Sequence, residues 1–159
     1  MHKTYLLRTT LFDMVISESI TTFLEDKERA VSEYVRVTKS GGYVGLNEET
    51  WIKVPPPKEL VELVSRTWGG AKPETSNRWE ELLEGSGLRD VVVRTYKFSA
   101  LREASQISRY GFKDLSRMLY RTLSLYIGSS AFRRYMKERA SLPENIWEYL
   151  GYGIYVGRK

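Results

Sequence analysis

Between residues 12 and 49 a short apolar run, a helix-like stretch and a second apolar run follow one another, and this alternation restricts the fold more than any other feature. The first run, FDMVISES at 12–19, sets Phe12, Met14, Val15 and Ile16 ahead of the polar set Ser17, Glu18 and Ser19. Consecutive apolar and β-branched residues read as a strand buried on both faces, with its carboxyl end opening into a site. Asp26 then offers a helix N-cap and Leu24 an entry staple, while Ala30, Val31, Tyr34, Val35 and Thr38 recur at helical spacing. Lys39 in a last turn and Gly41-Gly42 after it predict the stop. YVGLNEE at 43–49 reads as a second buried strand. Strand, helix and strand at this spacing make a βαβ unit, hence a parallel pair with a right-handed crossover. Ligands in such sheets bind outside the carboxyl ends of the strands.

The remaining elements are punctuated by glycine and proline. VPPPKELVELVSRTWGG predicts a helix with Leu60, Val61, Val64 and Trp68 on one face and a stop at Gly69-Gly70. SNRWEELLEGSGL predicts another, capped by Ser76, with Trp79, Leu82 and Leu83 inward. LRDVVVRTYKF at 88–98 and YLGYGIYVGRK at 149–159 read as strands. Residues 100–149 look helical, and Leu115, Met118, Leu119, Leu123, Tyr126 and Ile127 form one apolar stripe opposite Arg117 and Arg121. Four strands are expected near 11–18, 42–48, 88–98 and 150–158. The whole chain, 1–159, reads as a single domain with a helical insert over about 99–149.

Counts exclude several chemistries. There is no cysteine, so disulfides and thiolate chemistry are ruled out. His2 is the only histidine, which leaves no Ser-His-Asp triad and no multi-histidine metal site. No apolar stretch reaches the ~20 residues of a membrane span. MHKTYLLRTT lacks a signal-peptide core, so a cytoplasmic location is expected. The acids are mostly Glu, and Asn and Gln are scarce, a bias seen in thermophilic sources. Residues 89–139 hold twelve Lys/Arg against four acids, a local charge of +8 in a chain of net +5. Such a face fits either an anionic partner or a solvated helix surface. No aromatic–basic motif of a known nucleic-acid reader is present, so nucleic acid is not expected as a partner.

Taken in order, FDMVISES, ITTFLEDKERAVSEYVRVTKSGGYVGLNEE, NRWEELLEGSGLRDVVVRTYKF and GYGIYVGRK resemble the carboxyl-terminal half of class I S-adenosylmethionine-dependent methyltransferases of the small-molecule type. The match covers about residues 11–98 and 150–159, with Lys39-Ser40-Gly41-Gly42 where the family commonly has Lys-Pro-Gly-Gly. The resemblance implies a partial Rossmann-like α/β sheet of about four strands in spatial order first, second, fourth, third, mixed, with the last strand antiparallel and helices on both faces. It implies S-adenosylmethionine as the cofactor of the intact family and a small molecule as methyl acceptor. The family's glycine-rich cofactor loop and ribose-binding acid would lie ahead of FDMVISES. GGYVG, GYGIYVG and Gly85-Ser86-Gly87 lack the strand–glycines–helix context of such a loop. The chain therefore reads as a truncated form, inactive and unable to hold the cofactor by itself. The alternative is a non-catalytic binding or assembly module with a basic helical surface.

By the same resemblance Ser17, Glu18 and Ser19 adjoin the cofactor's methyl group, with Glu18 the candidate general base. Asn47, Glu48 and Trp51 end the next strand and are candidate substrate contacts. Arg117 and Arg121, one helical turn apart, could grip a carboxylate or phosphate. Trp68 and Tyr110 could join Trp51 in an apolar pocket, although Trp68 and Trp79 read better as core. Finally, FDMVIS carries neither Lys nor Pro to blunt an edge, so a homodimer through residues 1–18 is expected.

Overall fold

The computed structural model describes residues 9–98, 110–140, 142–143 and 145–159. They group into two compact units, one from Met1–Lys97 with Trp147–Lys159 and one from Phe98–Ile146.

The first unit is built on a mixed sheet. Strand β1 (Phe12–Glu18) leads through a 3₁₀ turn at Thr21–Phe23 to helix α1 (Lys27–Val37) and strand β2 (Thr38–Trp51). Helix α2 (Lys58–Thr67), the two-residue strand β3 (Glu74–Thr75), helix α3 (Ser76–Gly85) and strand β4 (Arg89–Lys97) follow. Strand β5 (Leu150–Arg158) closes the chain. The order is β1-β2-β5-β4, with β3 pairing on β2. β1 and β2 are parallel, and β5 runs antiparallel to both of its neighbours. The expected strand order and the antiparallel insertion of the last strand both hold.

The core lies on the sheet face that carries α1 and α3. Val31, Trp79, Leu82 and Leu83 pack there on Val44, Leu46 and Tyr155. Trp79 donates its indole N–H to the Glu49 carbonyl at 3.2 Å and sits 6.1 Å from the Tyr155 ring, which makes it core as expected. Neither α1 nor α3 covers the second face, where Met14, Ile16, Tyr43 and Ile154 are exposed.

Three local expectations need correction. The glycine pair does not cap α1. The helix stops at Val37, where Thr38 turns extended and its hydroxyl donates to the Tyr34 carbonyl at 2.7 Å. Lys39 therefore lies in β2, not in a helical turn, and its ammonium meets Asp13 at 2.9 Å. Gly41, at φ +77, and Gly42 carry the irregularity that shifts the β1–β2 register between Phe12 and Met14. A Cβ on Gly42 would stand 2.6 Å from the Asp13 carbonyl oxygen, so the strands approach too closely there for any side chain. α3 is capped by Thr75, whose hydroxyl accepts the Arg78 N–H, and not by Ser76, which is already helical. In α2, Leu60 and Val64 are buried, Trp68 is half-buried and Val61 is exposed.

The described part of the second unit contains helix α4 (Phe112–Gly128) and helix α5 (Ser130–Ala140), and the short helix α6 (Ile146–Tyr149) spans the boundary between the units. Ser129 caps α5 through the Phe132 N–H, and Arg133 donates to the Tyr126 and Ile127 carbonyls at the end of α4, where a cation suits the helix dipole. No residue of α4 or α5 is buried, and most of the predicted stripe, including Met118, Leu119, Leu123, Tyr126 and Ile127, is exposed. The expected helix over 99–109 falls outside the described residues. No described helix is long and apolar enough to cross a membrane.

Candidate functional site

The parallel register brings Ser17 opposite Leu46 and Glu18 opposite Asn47, so the carboxyl ends of β1 and β2 finish side by side. Side chains alternate between the two faces, and this splits the expected site in two. Ser17 and Glu48 turn to the α1 side and are buried, while Glu18 and Asn47 turn to the open side.

On the buried side Glu48, only 1% exposed, is the hub. Its Oε1 accepts the Ser17 hydroxyl at 3.1 Å and the Thr21 N–H at 3.0 Å, and its Oε2 accepts the Thr22 N–H at 3.1 Å. Ser17 also shares a 2.9 Å bond with the Thr21 hydroxyl. A carboxylate on the free amides of a helical turn satisfies donors that have no other partner. Glu48 is therefore the clamp that holds the loop after β1, and its oxygens are turned away from the open side. Thr21 and Thr22 are among the residues that sequence reasoning missed. The only hint was two adjacent threonines without an apolar role. The Thr22 hydroxyl is buried without a hydrogen-bond partner.

On the open side the Asn47 amide donates to Oε1 of the exposed Glu18 carboxylate at 3.3 Å. Ser19 adopts φ +49, a left-handed conformation that costs a non-glycine residue, and its N–H bonds the Asn47 carbonyl at 2.8 Å. Next to Asn47 an apolar trough of about 180 Å³ runs along the sheet, lined by Met14, Ile16, Tyr43, Gly45, Ile154 and Val156. The arrangement places the Glu18 carboxylate beside Asn47, which lines one end of the apolar groove.

The other candidates lie elsewhere. Trp51 is buried and lines a separate recess of about 230 Å³ with Ile52, Val54, Thr75, Ser76, Asn77 and Thr95. Trp68 faces Trp147 at 6.4 Å rather than Trp51. Tyr110, Arg117 and Arg121 are exposed and belong to the second unit. A missed residue is Glu49, which shares the Asn47 face by alternation and has one buried carboxylate oxygen without a hydrogen-bond partner. The described residues contain no group of three or more His, Cys, Asp or Glu that could hold a metal ion. The three glycine clusters lie inside β2, inside β5 and at the end of α3, so none forms a loop between a strand and a following helix.

A parallel pair closed by an antiparallel strand, with polar strand ends beside an apolar groove, is the sheet of the class I S-adenosylmethionine-dependent methyltransferase fold. Residues 3–46 match the family described as methyltransferase domain. No curated protein matches the sequence. Among solved structures, phosphoethanolamine N-methyltransferase 2 of Haemonchus contortus, in complex with phosphomonomethylethanolamine and S-adenosylhomocysteine, superposes with TM-score 0.65 at 15% identity, over 96% of this chain and 34% of that one. The cyclopropane synthase MmaA2 of Mycobacterium tuberculosis gives 0.69 at 12%, over 95% and 56%. The cyclase SpnF gives 0.63 at 17%, over 98% and 52%. The chain thus shares the fold of class I S-adenosylmethionine-dependent methyltransferases, and residues 3–46 resemble their methyltransferase domain. It spans between a third and just over half the length of these three structures.

Proposed function

We propose that this chain supplies the acceptor side of a class I methyl-transfer site, the complete unit acting on a small molecule. The observation that carries the reading is the Glu18–Asn47 pair at the joined ends of two parallel strands, opening onto the apolar trough. The cofactor would supply an activated methyl group to an acceptor held in that trough. Glu18 is suited to take the acceptor's proton, and Asn47 keeps its carboxylate in place. Ser17 and Ser19 shape the strand end, Ser17 through the Glu48 clamp.

Among the described residues every glycine cluster lies within a strand or closes a helix, which supports the reading that this chain holds the cofactor poorly by itself. Isothermal titration of S-adenosylmethionine into the purified chain is therefore expected to show weak binding or none. A dissociation constant at or below ~1 μM, roughly −8 kcal/mol, would refute this. A second reading, a non-catalytic module for an anionic partner, is favoured by one feature. Residues 110–140 carry seven Lys/Arg against two acids, on helices with no buried residue. Micromolar binding of heparin with no cofactor binding would select it.

A further inference from the structure

A cavity of about 500 Å³ opens where β2 and β4 begin and β5 ends, so β2 carries it at one end and Asn47 toward the other. Its lining holds three cations, Arg89, Arg158 and Lys159, against one acid, Asp90. Arg89 and Arg158 stand directly opposite one another in the antiparallel β4–β5 ladder. Residues paired in that way share a face of the sheet, and like charges placed there repel. Among the described residues neither guanidinium has an ion pair or a side-chain hydrogen bond. Asp90 pairs with neither of them; at φ +51 it belongs to the irregularity that shifts the register between Arg89 and Val92. Lys159 turns its ammonium to the Val35 and Thr38 carbonyls, 2.7 Å from each, so two of its three donors are taken and it adds mainly charge. Gly87, at φ +88, keeps the wall open, since no atom beyond its chain neighbours lies within 4 Å of where a Cβ would stand.

We propose that this cavity is an oxyanion site, in which Arg89 and Arg158 together grip the phosphate group of a small phosphomonoester. A phosphomonoester carries a charge of about −1.5 to −2 at neutral pH, enough to match both guanidinia, whereas one carboxylate neutralises only one of them. The guanidinium fork fits phosphate oxygens two at a time, and such charge-assisted bonds are the strong ones. With the anion between them, the two arginines change from a repelling ladder pair into two arms of one clamp. The exposed Ser40 hydroxyl, in the same lining, is a further donor. The cavity lies within the roughly 300–1,000 Å³ of small-molecule sites, so it has room for the group that bears the phosphate. This reading is independent of the methyl-transfer assignment, because it uses none of the residues at the Glu18–Asn47 end.

The test is a titration of the full chain with inorganic phosphate and, separately, with glycerol phosphate, followed by amide NMR at constant ionic strength so that screening does not vary. The Gly41, Gly87 and Asp90 amides should shift and saturate, with a dissociation constant of about 1 mM or tighter for the ester. Arg89→Gln and Arg158→Gln should each weaken binding about tenfold or more, a loss of about 1.4 kcal/mol. Arg94→Gln, at an exposed arginine farther along β4, should bind as the wild type does. In phosphate-free buffer Arg89→Gln should melt at or above the wild-type temperature, because it relieves the opposed charges, and it should lose the rise in Tm that phosphate gives the wild type. Tighter binding of glycerol phosphate than of phosphate assigns the ester, and equal binding assigns the free ion; either outcome supports the oxyanion site. Shifts that never saturate, or an Arg94→Gln variant that loses as much as the other two, would overturn the proposal. So would a lower Tm for Arg89→Gln in phosphate-free buffer, since that arginine would then already be satisfied within the fold.

Discussion

Replacing Glu48 is the sharpest test of how the strand ends are held. In Glu48→Ala the Thr21 and Thr22 N–H groups lose their acceptor, and Ser17 keeps only its bond to the Thr21 hydroxyl. Each buried donor left without a partner costs about 1–3 kcal/mol. Two amides and part of a hydroxyl therefore sum to about 3–5 kcal/mol, allowing for some entry of water into the vacated space. Removing a buried charge works the other way, since the desolvation penalty of the carboxylate disappears. Direct bonds to both carboxylate oxygens decide the balance, because a charge that is well satisfied has already recovered that penalty. Glu48→Gln keeps the shape, but one of its terminal atoms must be NH₂. With the oxygen on Ser17 and Thr21, that NH₂ faces the Thr22 N–H, donor against donor, for a loss of about 1–2 kcal/mol. The expected order is wild type, Gln, Ala, against a total stability of about 5–15 kcal/mol. Urea unfolding followed by the fluorescence of buried Trp51 and Trp79 reads this order, and hydrogen exchange should show Thr21 and Thr22 losing protection. If both variants stay within about 0.5 kcal/mol of wild type, or Gln is the more stable, Glu48 is not the clamp described.

Two more predictions follow from the sheet. Burial pushes the Tyr155 hydroxyl, which shares a 2.8 Å bond with Thr50, up to about 12. Its protonated form is favoured in the folded state, so its contribution is complete below the unfolded value near 10 and is lost as the pH rises to 12. Unfolding measured between pH 9 and 12 should show this loss, and Tyr155→Phe should flatten it; an unchanged slope in that variant would remove Tyr155 as the cause. Gly42→Ala drives a methyl group into the Asp13 carbonyl and should cost about 1–3 kcal/mol by thermal denaturation, whereas a neutral effect would mean that the β1–β2 contact is looser than described.

Strand identity was legible because β1, β2, β4 and β5 are dense in apolar or β-branched residues, and strand order followed from the family resemblance rather than from the pattern. The start of β2 was not, because Gly41-Gly42 carries two meanings. The same pair that stops a helix also permits a close strand crossing, and only the position of the Asp13 carbonyl separates them. Glu18 and Asn47 were legible as strand ends. The part played by Glu48 was not, since its partners lie 26 and 27 positions away in a turn with no sequence signature. The stripe on α4 was visible as a pattern, but periodicity does not say what faces it. In the structure its side chains remain largely exposed.

β5 is a wedge, and this bears on how the protein is made. β2 and β4 are not neighbours; each pairs with β5, with Tyr43 and Arg89 both in register with Arg158. Until the last strand is in place β4 has no strand to bond, and β1 with β2 forms only a small parallel ribbon. The pairing of β2 with β5 joins residues 99 to 115 positions apart, which is slow. During synthesis the nascent chain must therefore carry its unpaired β2 and β4 edges until residues 150–158 emerge. That interval exposes it most to aggregation, and a chaperone would matter most then.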